Sequence, residues 1–142
     1  RDPRLRVAGQ ADQLQRIARL PCDVDIASEF RYREAPLAKN GLAIVVSQSG
    51  ETADTLAALR YSKSQGQHTL AVVNVPESTI ARECEMVVRT YAGPEIGVAS
   101  TKAFTCQLSA LAALALVAAK QRGHLPPEKE QELVGALLEA PR

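Results

Sequence analysis

The sequence has little with which to do metal, redox or nucleic-acid chemistry. Of its 142 residues only two are histidines and three are cysteines. Cys22, Cys84 and Cys106 are widely spaced, odd in number and lack any C-x-x-C, which excludes a disulfide framework and points to reduced thiols in a cytosolic protein. Two histidines leave a metal few ligands. His68 stands just before an apolar run and His124 lies in a Gly-His-Leu-Pro connection, so both read as surface residues rather than catalysts. Seventeen basic residues against sixteen acidic ones give a net charge of +1 and no basic face, which argues against nucleic acid as a partner. Arg1-Asp2-Pro3-Arg4 opens a polar segment, not a signal peptide. The longest apolar run, residues 110 to 119, is too short to span a bilayer. The expectation is a cytoplasmic protein with no cofactor, no metal, no nucleic-acid partner and no membrane.

What is present is an ordinary globular composition, 46% hydrophobic and 23% charged, in a chain long enough for one domain with a real core. Its most informative stretch is Ser47-Gln48-Ser49-Gly50-Glu51-Thr52. Before it, Leu42-Ala43-Ile44-Val45-Val46 reads as a buried central strand. After it, Ala53, Leu56, Ala57 and Leu59 fall at helical spacing, and Gly66 supplies a stop. Strand, polar turn, helix is the arrangement by which open α/β sheets hold ligands at the carboxyl ends of their strands. Three hydroxyls and the free N–H groups of a helix start can hold a phosphate without any lysine. Taken alone, Ser-Gly-x-Thr also reads as capping, with Ser49 as N-cap and Thr52 bonding back to the backbone. The G-x-x-x-x-G-K-[ST] pattern of an ATP loop is absent.

Elsewhere, Leu14, Ile17 and Leu20 line one side of a short amphipathic piece that Pro21 closes. Alternation over Cys22-Asp23-Val24-Asp25-Ile26-Ala27 predicts a half-exposed edge strand. Residues 28–40 predict a short helix or loop over the sheet edge, 69–75 a strand buried on both faces, and 86–90 another strand. Ser78 or Thr79 is placed to cap a brief helix through Glu83. A second glycine-shaped loop runs from Ala92 to Lys102, and Ser100 and Thr101 open a long helix to about Arg122 that is apolar almost all round, as a core helix would be. Gly123 ends it, and a last helix covers 128–138.

With both loops in view, the chain resembles the sugar isomerase (SIS) domain family. Within that family it is similar to the first such domain of the glutamine:fructose-6-phosphate amidotransferases. The resemblance rests on residues 27–33, on 47–56, on Asn74-Val75-Pro76, and on Ala92-Gly93-Pro94-Glu95-Ile96-Gly97-Val98-Ala99-Ser100-Thr101-Lys102-Ala103-Phe104. It implies an α/β fold: a three-layer flavodoxin-like sandwich around a five-stranded, mostly parallel sheet. It also implies that Ser47, Gln48, Ser49 and Thr52 bind the phosphate and sugar hydroxyls, and that Val98 and Ser100 line the sugar site. Glu51 is expected to face away, because a carboxylate in the cradle would repel a phosphate. Residues 21–125 would form the SIS domain and 126–142 a connector helix.

The family's Cys-Gly-Thr-Ser-like loop after a central first strand has no counterpart in residues 1–20. Those residues read as a remnant of that strand around Leu5 to Gly9, as a preceding linker, or as a segment from which the loop is missing. Without its middle strand the sheet would expose an apolar edge. The family's glutaminase domain and second SIS domain, which carry its catalytic groups, also lack counterparts. No catalytic residue is therefore assigned, and the isolated chain is expected to be inactive. The resemblance implies that it supplies part of a fructose 6-phosphate or glucosamine 6-phosphate site in a homodimeric enzyme. The alternatives are a non-enzymatic phosphosugar-sensing module, which a DNA-reading segment would support although none is visible, and a stand-alone phosphosugar isomerase or deaminase, which would need an acid–base pair near the sugar.

Overall fold

The computed structural model describes residues 12, 14–93 and 101–139. They fall into two compact units, Asp25–Gln107 and the pair of segments Arg1–Val24 and Leu108–Arg142.

The first unit alternates helix and strand: α1 (Ala27–Arg33), β1 (Leu42–Ser47), α2 (Ala53–Ser64), β2 (His68–Val73), α3 (Thr79–Glu83), β3 (Met86–Arg89) and the start of α4 (Thr101–Gln121). Among the described residues the strands form one sheet in the order β1-β2-β3. Both pairings are parallel, with Leu42 opposite His68, Ser47 opposite Val73, and Leu70 opposite Met86. Parallel neighbours need a crossover, and α2 and α3 provide the two. The middle strand explains the continuous apolar run Leu70-Ala71-Val72-Val73. Flanked on both sides, β2 is buried from Thr69 onward. Thr69 itself is buried, and its hydroxyl accepts from Glu85 N at 3.1 Å. Val45, Leu59, Ala71, Val73, Ile80 and Ala81 form the core, with Leu56 and Cys84 packed against it.

The strands and helices stand where the sequence pattern places them, within one or two residues, with two exceptions. Cys22 to Ala27 is not an edge strand. Residues 22–26 are irregular and α1 begins at Ala27. The acidic residue that suggested alternation serves the helix start instead: the Asp25 carboxylate accepts from Ile26 N at 2.9 Å and pairs with Arg33. Helix α1 packs on α2, where Phe30 meets Tyr61 edge-on with ring centroids 5.7 Å apart and the Tyr61 hydroxyl donates to Ala35 O. Strand β1, expected to be central, pairs among the described residues with β2 only, and Leu42 is 50% exposed.

In the second unit, Leu111, Ala115, Leu116 and Ala119 of α4 are buried, as is Ala18, whose carbonyl accepts from Arg122 Nε at 3.0 Å. Gly123, at φ +71°, ends α4. Helix α5 (Pro127–Glu139) follows, tied to α4 by Lys120–Glu130 at 2.7 Å. The estimate of membrane reach from the apolar run alone is corrected here. The helix continues that run on both sides, and Lys102–Gln121, 20 residues with mean hydropathy 1.6, is long and apolar enough to cross a bilayer, as many core helices of soluble domains are. Ala103 near its start is buried as well, while Val117 is 58% exposed.

Leu59 is fully buried at the centre of the first unit's core. Replacing it with alanine is expected to cost about 2–5 kcal/mol, because packed surroundings collapse only partly into the cavity. Urea unfolding measures this as a lower midpoint at unchanged slope.

Candidate phosphate-binding turn

The turn begins where β1 ends. Ser47 is the last residue of the strand and is buried, while Ser49, Glu51 and Thr52 are exposed. Ser47 Oγ accepts from Gly50 N at 3.0 Å and lies 3.4 Å from Thr52 Oγ1. Either hydroxyl can donate across that contact; where Ser47 donates to Thr52, the Thr52 proton is left to point outward. Ser49 Oγ accepts from Glu51 N at 3.2 Å, so its proton is likewise available.

These contacts bear on the capping reading of Ser-Gly-x-Thr. The N-cap of α2 is Thr52, not Ser49, and its side chain makes no capping bond. Ser49 closes a local turn before the helix. The first N–H groups of α2 have no partner within the helix, and its positive dipole end lies beside the two hydroxyls. The turn thus gathers Ser47, Gln48, Ser49 and Thr52 at one helix start, without a cation of its own. Val98 and Ser100 lie outside the described residues.

Charge around the turn is handled by pairing. The acidic residue in the first turn of α2 is Asp54, whose carboxylate is held by Arg31 Nη1 at 2.6 Å. That hydrogen bond, followed by the neighbouring Tyr32, raises the Arg31 pKa above its ordinary value. Glu51 does face elsewhere. Its Oε1 accepts from Thr79 N at 2.7 Å, and that bond holds its pKa below the ordinary carboxylate value.

The turn is also braced from behind. Gly50 sits at φ +70° with its carbonyl accepting from Ile80 N at 3.0 Å. A Cβ there would fall inside the contact distance of Ser78 Oγ and Cβ, so only glycine fits the approach. Ser78 is 2% exposed and caps α3 by accepting from Ala81 N, as its place in the sequence suggested. Two contributors were missed in the sequence. In the sequence Arg31 stands within the 27–33 motif and Asn74 within Asn-Val-Pro, and neither pattern shows the bonds they make. A lone amide closing an otherwise apolar strand was the available signal for Asn74. Among the described residues no group of three or more metal-ligating side chains occurs.

Comparison with known proteins fits this geometry. The SIS domain family profile matches residues 11–117. The chain belongs to the SIS domain family. It is 70% identical over 128 residues to a glutamine–fructose-6-phosphate aminotransferase (isomerizing) of Bradyrhizobium diazoefficiens, and 68% identical to that of Brucella abortus. Each match covers 90% of this chain and 21% of the relative, so the chain spans about a fifth of the length of the curated relatives it matches. Among solved structures it is similar to the C-terminal domain of the glucosamine-fructose-6-phosphate aminotransferase of Francisella tularensis. That likeness has a TM-score of 0.88 at 45% identity, over 91% of this chain and 37% of that one. The SIS match includes most of α4, which is therefore a helix of the domain.

Two outcomes follow from the bracing. Gly50→Ala is expected to destabilise the protein by about 2–4 kcal/mol, from left-handed strain plus overlap with Ser78, read in a thermal or urea melt. For Glu51, a lowered folded-state pKa means its contribution is present above the ordinary value of 4.5 and fades as pH falls through the folded one. The stability gap between the parent and Glu51→Ala should therefore be constant at neutral pH and close on acidification below 4.5.

Proposed function

We propose that the Ser47–Thr52 turn holds the phosphate of a phosphosugar, fructose 6-phosphate or its product glucosamine 6-phosphate. On this reading the chain is the first SIS domain of an enzyme that converts fructose 6-phosphate and glutamine to glucosamine 6-phosphate and glutamate. The observation that carries the reading is the pair of exposed hydroxyls, Ser49 and Thr52, neither spent on capping, at the start of α2. The 70% identity to the aminotransferase of Bradyrhizobium diazoefficiens supports the choice of sugar and reaction.

Ser49 and Thr52 would donate to phosphate oxygens, with the α2 N–H groups completing the anion site, while Ser47 holds both the Gly50 backbone and the Thr52 hydroxyl in place. Gln48, half-buried beside them, would reach the sugar hydroxyls, and Val98 and Ser100 would line the sugar from the second loop. The chain contributes binding and no catalytic group. Those groups would come from a second SIS domain, and ammonia from a glutaminase domain, in a cytoplasmic enzyme. A homodimer is supported by the apolar groove of about 330 Å³ between α4 and α5, lined by Leu116, Val117, Val134 and Leu138.

Calorimetric titration of the full-length protein with fructose 6-phosphate, with inorganic phosphate as control, tests the reading. Ser49→Ala and Thr52→Ala should each weaken sugar-phosphate binding about 2- to 12-fold, one hydroxyl hydrogen bond apiece, with little change in melting temperature. Affinity equal to that of the parent in both variants would remove the cradle assignment.

A further inference from the structure

Asn74 stands one residue beyond the end of β2 and belongs neither to the hydroxyl cradle nor to the apolar core. Its backbone N–H donates to Gln48 O at 3.3 Å, inside the turn that follows β1. Its side chain turns to the segment that follows β3. There Oδ1 accepts from Ala92 N at 2.8 Å and from the Thr90 hydroxyl at 3.2 Å, while Nδ2 donates to Gly93 O at 2.9 Å. Both acceptor sites and one of the two amide donors are thereby used. One residue thus ties together the carboxyl ends of three neighbouring strands, the place where open α/β sheets bind ligands.

The clamped segment is itself strained. Tyr91 adopts φ +51° although it is neither glycine nor asparagine, and its side chain is 81% exposed. A bulky residue stays in that region only where its surroundings over-determine it. The bonds from Asn74 to residues 90, 92 and 93 enclose Tyr91 on both sides, and Thr90 N adds a bond to Val73 O at 3.0 Å.

We propose that Asn74 is a positioning residue for the phosphosugar site, fixing the 90–93 segment against the Ser47–Thr52 turn. The proposal rests on the phosphosugar reading above. Asn74 touches no ligand in this account; it acts through the Gln48 backbone and the Thr90–Gly93 bonds. Sugar selectivity, which needs both segments in register, depends on it more than phosphate binding, which needs the first turn alone.

The test uses Asn74→Ala and Thr90→Val in the full-length protein, with thermal melts, hydrogen exchange of the Ala92 amide, and titration with fructose 6-phosphate and with inorganic phosphate. Asn74→Ala should bind fructose 6-phosphate about tenfold more weakly, on the scale of the hydrogen bonds lost, hold inorganic phosphate within about twofold, and lose protection at Ala92. Thr90→Val, which removes one bond and leaves two, should show about a threefold loss and decides the matter if Asn74→Ala does not fold. A folded Asn74→Ala, or a Thr90→Val where that is the deciding variant, with the parent's affinity for fructose 6-phosphate overturns the positioning role while the phosphosugar reading stands. A parent protein that does not prefer fructose 6-phosphate to inorganic phosphate overturns both.

Discussion

The Ser47–Thr52 turn keeps its shape because Gly50 can lie against Ser78. That contact brings the loop after β1 onto the loop after β2, with Gly50 O bonded to Ile80 N and Glu51 bonded to Thr79 N. Any side chain at position 50 would push the two loops apart, and the left-handed backbone that lets the turn reverse into α2 would be strained as well. Because Ser78 is also the cap of α3, the same contact couples the turn to the helix that contributes Ile80 and Ala81 to the core. The turn is therefore supported by the packing of the sheet, and on the proposed reading its backbone would need no ordering when a phosphate arrives.

Electrostatically the turn relies on dipoles and protons rather than on a fixed cation. Serine and threonine donors at a helix start suit a phosphate without the long, mobile side chain that a lysine would add. That design works only if nearby carboxylates are neutralised. Asp54 is held by Arg31, and Glu51 is turned to the Thr79 amide. The proposed anion site has two acids, Glu51 and Asp54, in or beside it, and the fold disposes of each by a named bond.

Much of this was legible from the residues. The apolar runs 42–46 and 69–73 gave strands because β-branched residues without alternation fit a sheet covered on its faces, and Ser47 to Thr52 was visible as a turn by its glycine and hydroxyls. Cys22 to Ala27 misled because alternation of acidic and apolar residues also describes an irregular lead into a helix, where Asp25 bonds the backbone of Ile26. The ends of α4 were legible, but the apolar run 110–119 alone understated the apolar length of that helix, which extends over Lys102–Gln121. The pairing of Arg31 with Asp54, and the bonds made by the Asn74 side chain, join residues 23 and up to 19 positions apart in sequence; no local pattern records such contacts.

The central claim is that Ser49, Thr52 and the start of α2 hold a phosphate without rearranging. The most direct measurement is a crystal structure of the full-length protein with fructose 6-phosphate bound. The account predicts phosphate oxygens within hydrogen-bonding distance of Ser49 Oγ and Thr52 Oγ1, with Gly50 still at positive φ against Ser78. A phosphate seated away from residues 47–52, or a turn that must unfold from Ser78 to receive it, would contradict it.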